Sequence, residues 1–191
     1  MEQLRKIIEH FDFVGQYQGA EECVTGHIND TFILRYQFEG GPRRYVLQRI
    51  NQHVFHHPPE VMQNIGAVTE HLRAKILARG GEPRREALRV IPTQDGKLFF
   101  HSQEDEYWRA YDYIEGARNY EQVENPLHFY HAGRAFGQFQ YLLSDFPAES
   151  LFETIERFHD TPKRLADLLQ VIKADPLGRV SLVSREIDFI L

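Results

Sequence analysis

Hydrophobic and polar positions alternate or recur in a way that divides this chain into elements. Leu4, Ile7 and Ile8 share one side of a short amphipathic helix over residues 2–10. An irregular first strand falls between Phe13 and Gly26. From Thr31 to Phe38 the alternation is strict: Phe32, Leu34, Tyr36 and Phe38 lie on one face, Thr31, Arg35 and Gln37 on the other. Glu39-Gly40-Gly41-Pro42 is a turn. The strand Arg44 to Ile50 then puts Tyr45, Leu47 and Arg49 on one face and Val46, Gln48 and Ile50 on the other.

Val61, Ile65, Val68, Leu72 and Ile76 form a narrow stripe that predicts a helix from about Pro59 to Ala78, stopped by Gly80-Gly81 and Pro83. Two strands, Leu88 to Pro92 and Lys97 to His101, are expected around the turn Gln94-Asp95-Gly96. Tyr107 to Ile114 reads as a further strand, broken by Glu115-Gly116. Beyond that the pattern is helical: Pro126 to Leu143, Thr161 to Ala174, and Leu177 onward. Strands with one helix, then a glycine break, then helices alone predict an α+β chain of two lobes, 1–115 and 116–191, hinged near 113–118. The last turn is apolar to the end, with Ile187, Phe189, Ile190 and Leu191, which is the pattern expected of a truncated chain.

Composition narrows the partners. Of 191 residues, 42% are hydrophobic and 26% charged, as in ordinary globular proteins. A net charge of −6 argues against nucleic acid as a partner, but not against a nucleotide, for which a few amides and cations suffice. A single cysteine, Cys23, permits no internal disulfide and is expected to pack. With no signal-like N-terminus and no long apolar run, no membrane is implied and a cytoplasmic location is expected.

The candidate chemistry lies in Gly26 to Ile50. A hairpin turn offers backbone amides at Gly26, Ile28 and Asn29 and a hydroxyl at Thr25 or Thr31, and the next strand ends in a cation, Arg49. Amide-rich turns with a nearby cation cradle phosphates. A plain Asn-Asp hairpin turn fits the same residues. Arg49 has its own bland reading, a solvated strand-end cation. Glu60 and Asn64 flank the stripe of the following helix. Glu60 is the acidic one and the candidate partner of Arg49, although any acid in a helix's first turn is favoured there. Trp108 is expected in the core. His53, His56 and His57, and the pair His128 and His131, lack the carboxylate or cysteine partners of a metal site.

Gly-x-Ile-Asn-x-Thr-Phe from Gly26 resembles a known pattern, as do Val46 to Asn51, Pro59 to Leu72 and Tyr107 to Glu115. So do Ala132 to Phe139 and Phe158 to Leu165. Together they are similar to the aminoglycoside-phosphotransferase-like kinases, and within them to the branch containing N-acetylhexosamine 1-kinase. The resemblance implies a protein-kinase-like fold: an antiparallel-sheet N-lobe with one long helix, then a helical C-lobe, incomplete here. It also implies ATP-dependent phosphorylation of a small molecule, a sugar being expected.

By this likeness Gly26, Ile28, Asn29 and Thr31 sit at the phosphates and Leu47 roofs the adenine. Arg49 and its partner Glu60 neutralise charge, and the backbone of Tyr113 and Ile114 meets the base. The family's His-Asx-Asp catalytic loop and Asp-x-Asp metal segment do not occur in the 191 residues. No catalytic or metal-binding residue is therefore assigned in this chain. Mg2+ is expected only of a complete enzyme, and the isolated chain is expected to be inactive. Self-association through exposed C-lobe surface is a further expectation. A nucleotide-binding pseudokinase or scaffold, and an α+β domain without nucleotide, are the alternatives.

Overall fold

The computed structural model describes residues 2–24, 26, 28–118, 120 and 122–191. Its centre is an antiparallel sheet in the order β1 (Gln16–Cys23), β2 (Asp30–Phe38), β3 (Gly41–Arg49), β6 (Tyr107–Asp112), β4 (Val90–Ile91), with β5 (Phe100–His101) also on β6. The β2–β3 hairpin turns at Gly41, whose φ of 108° is closed to residues with a Cβ. The two strands expected around Asp95 do not pair with each other. Val90 and Ile91 pair with Tyr111 and Ala110, whereas Phe100 and His101 pair with Trp108 and Tyr107. The turn itself closes through Thr93 and Lys97, so both short strands line one edge of β6 end to end.

Register assigns every strand residue to one of two faces. Phe32 opposes Leu47, Leu34 opposes Tyr45, and Leu47 in turn opposes Ala110. This first face is covered by helix α1 (Glu2–Ile8), whose Leu4, Ile7 and Ile8 join Leu34, Tyr36, Tyr45, Leu47, Trp108 and Ala110 in one buried cluster. Trp108 is thus in the core, as expected. Tyr36 and Tyr45 meet edge to face at 5.3 Å, and Tyr45 closes its hydroxyl on the backbone of Val14. Each such buried side chain contributes on the order of 2 kcal/mol.

Helix α2 (Pro58–Ala78) follows the expected stripe, with Val61, Met62, Leu72 and Ile76 buried. It is followed by α3 (Pro83–Glu86) and, after the hinge, α4 (Pro126–Leu142). Leu142 and Leu143 pack on a small cluster of Leu72, Ile76 and Ala87, while Lys75 and His71 hold Asp145. Asn64 and the backbone of Phe152 exchange two hydrogen bonds, at 2.9 and 3.0 Å.

These ties explain why the first compact unit runs from Met1 to Thr154, past the expected lobe boundary at 115/116. The second unit, Ile155–Leu191, holds α5 (Thr161–Ala174), capped by Asp160 at the amide of Lys163, and α6 (Ser184–Ile190). Among the described residues no helix is long and apolar enough to cross a membrane.

Candidate functional site

The turn between β1 and β2 is held from below. Asn51 donates its backbone N–H to the Asn29 side chain at 3.0 Å and its own amide to the Ile28 carbonyl at 3.0 Å. The Thr31 hydroxyl donates to the Asn29 carbonyl at 3.3 Å. The carbonyls are thereby occupied. The amides of Gly26, Ile28 and Asn29 have no hydrogen bond among the described residues. Thr25, the other expected hydroxyl, lies outside the described residues.

Arg49 ends up elsewhere than its expected role requires. It sits on the first face, directly opposite Asp30. Its guanidinium bridges Asp30, with Nε to Oδ2 at 2.7 Å, and Glu106, which also accepts from the Trp108 indole. These two carboxylates hold the Arg49 pKa above its ordinary value, Asp30 contributing most. Arg49 borders a cleft of about 370 Å³ that is lined also by Ile28 and Asn51 of the turn region and by Asp30, Glu104, Asp105 and Glu106, so acids outnumber its cation there.

Glu60, the partner expected from the sequence, has no ion pair with Arg49; Asp30 and Glu106 take that place. The reason is register: an acid directly across the hairpin outcompetes one on a distant helix. Leu47 is corrected for a related reason. It has no exposed surface and packs in the cluster with α1, so it presents nothing to a base.

The second face carries the other half of each strand. Thr31 opposes Gln48, and Gln48 opposes Arg109. These three form a hydrogen-bonded row. Arg109 Nε donates to Gln48 Oε1 at 3.1 Å, and Gln48 Nε2 donates to the Thr31 hydroxyl at 3.0 Å. Thr31 is the one nominated side chain in this row. Arg109 was missed, although a cation set between Trp108 and Ala110 in an apolar strand was a visible anomaly. It is only 9% exposed, and burial lowers its pKa.

The segment around 112–116, where the sequence predicts a hinge, is laced by arginines. Arg44 makes a two-point pair with Glu115, stacks 3.9 Å from the Tyr113 ring, and lowers the Glu115 pKa. Arg43 and Arg89 hold Asp112 at 2.6 and 2.9 Å, and Arg85 donates to the Glu115 carbonyl. The Tyr113 N–H is occupied, donating to the Arg44 carbonyl at 3.2 Å. Tyr113 thus offers a base only its carbonyl, and an N–H can come only from Ile114. Among the described residues no three His, Cys, Asp or Glu side chains gather as a metal site, so no step is assigned to Mg2+ on this chain.

No family model matches the sequence. Similar solved structures exist. An aminoglycoside phosphotransferase from Alicyclobacillus acidocaldarius superposes on 91% of this chain with a TM-score of 0.53 and 16% identity. A spectinomycin phosphotransferase solved with ADP and spectinomycin superposes on 72% with a TM-score of 0.44 and 14% identity. The chain spans 44% and 36% of the lengths of those two structures, respectively. The fold is accordingly the α+β, kinase-like one of aminoglycoside phosphotransferases, with an antiparallel sheet followed by helices.

Proposed function

We propose that this chain is the nucleotide-gripping part of an ATP-dependent phosphotransferase acting on a hydroxyl of a small molecule. The observation that carries the reading is the pinned turn Gly26–Asp30. The carbonyls of Ile28 and Asn29 are tied down by Asn51 and Thr31, and the amides of Gly26, Ile28 and Asn29 have no partner among the described residues, at the end of a sheet in a kinase-like fold. In this reading the amides of Gly26, Ile28 and Asn29 face the phosphates. The Tyr113 carbonyl and Ile114 N–H meet the adenine edge. In transfer between phosphate and hydroxyl most of the work is charge stabilisation and positioning, and this chain supplies the donor's share of both.

The acceptor is proposed as a polyhydroxylated compound. The sequence likeness to the branch containing N-acetylhexosamine 1-kinase is what suggests it. A second reading, a nucleotide-binding module without transfer chemistry, uses the same site.

Calorimetric titration with the β,γ-imido analogue of ATP tests the common core of both. Saturable one-to-one binding is expected, and no binding at any accessible concentration would overturn it. Product release measured with ATP and a panel of N-acetylhexosamines and aminoglycosides then separates transfer from binding. Negligible turnover is expected of the 191 residues alone, and steady enzyme-dependent product would contradict that. Self-association through the exposed Phe129, Tyr130, Phe136 and Tyr141 of α4 belongs to the same proposal and is read by sedimentation.

A further inference from the structure

Three arginines lie on the second face of the sheet, and their pairing runs against the usual rule. Arg35 and Arg44, with side chains 52% and 37% exposed, pair with Glu21 and Glu115. Arg109, only 9% exposed, has no carboxylate partner among the described residues. A buried cation is costly unless it is paired, so the ones that need a counter-charge least have it and the one that needs it most does not. Its recorded contacts are the Gln48 side-chain oxygen at 3.1 Å and the face of Tyr111 at 5.2 Å. Both leave the two terminal guanidinium nitrogens uncommitted. Among the described residues neither nitrogen has a recorded hydrogen bond.

The position matters as much as the missing partner. Gln48 is the β3 residue of the second face nearest the end that carries the pinned turn, and it is neutral. Arg109 is its direct cross-strand neighbour on β6. Gln48 fixes the guanidinium by accepting from Nε, and is itself oriented by donating to Thr31, next to the turn amides. The row therefore runs from a preset cation to Thr31, two residues from Asn29 of the turn.

We propose that Arg109, held by Gln48, is the cation that receives the phosphate chain of the nucleotide on the second face, and that Arg49 is not. The assignment rests on the nucleotide reading above and adds the residue that neutralises the phosphates. A nucleoside triphosphate and free polyphosphate share this chemistry. The turn and the hinge favour the nucleotide, because together they offer contacts at both the phosphate and the base end.

The test compares Arg109→Gln, Arg109→Lys and the pair Arg109→Gln/Gln48→Lys with the unmodified 191-residue chain. Each is titrated calorimetrically with the β,γ-imido ATP analogue, with adenosine and with tripolyphosphate, and thermal melts confirm folding. Removing a charge-assisted contact weakens the ATP analogue by about 10- to 100-fold in Arg109→Gln. Adenosine affinity stays within about twofold by the same reasoning, since adenosine carries no charge for the arginine to meet. Arg109→Lys retains part of the affinity, and the cation moved one strand over in the double variant restores it.

Analogue binding that survives Arg109→Gln undiminished overturns the assignment while leaving the nucleotide reading intact. So does an equal loss of adenosine, which marks a structural role. Tripolyphosphate binding as tight as the ATP analogue, with no adenosine binding, overturns the nucleotide as occupant. No binding of any ligand by the unmodified chain overturns both the reading and the assignment.

Discussion

The two faces of the sheet are built from alternate residues of the same strands, yet they have opposite characters. On the first, Leu34 and Leu47 are fully buried under α1 and the tyrosines find partners within the cluster. Its two β3 cations are both neutralised, Arg43 by Asp112 and Arg49 by Asp30 and Glu106 at the rim. On the second, Thr31, Gln48 and Arg109 form a polar row whose cation has no carboxylate partner among the described residues. The first face is arranged for stability. The second holds a buried cation, an arrangement that costs stability and that the proposal above assigns to a ligand.

The sharpest way to break this contrast is to truncate one residue on each face. Leu47→Ala should cost about 2–5 kcal/mol in chemical denaturation. Thr31→Ala should cost about 1 kcal/mol, one hydrogen bond. Comparable losses would mean that the second face is also core. Next in size, Arg109→Met should leave the chain as stable or more stable, by up to about 2 kcal/mol, because it removes an unpaired buried cation. A loss of several kcal/mol would show that the cation is structural. Arg49→Met should lower stability by about 1 kcal/mol or less, as solvated pairs contribute little.

The smallest effect concerns the hinge. Arg44 lowers the Glu115 pKa, so the pair stabilises the fold fully above the ordinary carboxylate value. That contribution fades as pH falls through the lowered value. Protection factors at residues 113–116, which correct exchange for its intrinsic pH dependence, should fall on acidification in the parent and change less in Glu115→Gln. Equal pH dependence in both would contradict the coupling.

Much of this was legible in the chain. Alternation in Thr31 to Phe38 and Arg44 to Ile50 assigned each side chain to its face, and the stripe on α2 set its buried side. What alternation could not supply was which face α1 would cover. That choice depends on Leu4, Ile7 and Ile8 docking on strands far away in sequence, and it reversed the meaning of Leu47 and Arg49. The Gln48–Arg109 pair spans 61 residues and exists only through the β3–β6 register. The Asp30 and Glu106 partners of Arg49 were hidden for the same reason. The first unit's extent to Thr154 depends on Asn64 reaching Phe152, a contact of 88 residues' separation with no local signal.

The most direct measurement is a crystal structure of the chain with the β,γ-imido ATP analogue. A phosphate oxygen within about 3 Å of an Arg109 terminal nitrogen, with Arg49 still on Asp30 and Glu106, is the predicted result. Phosphates bound at Arg49, or a nucleotide seated on the side covered by α1, would contradict it.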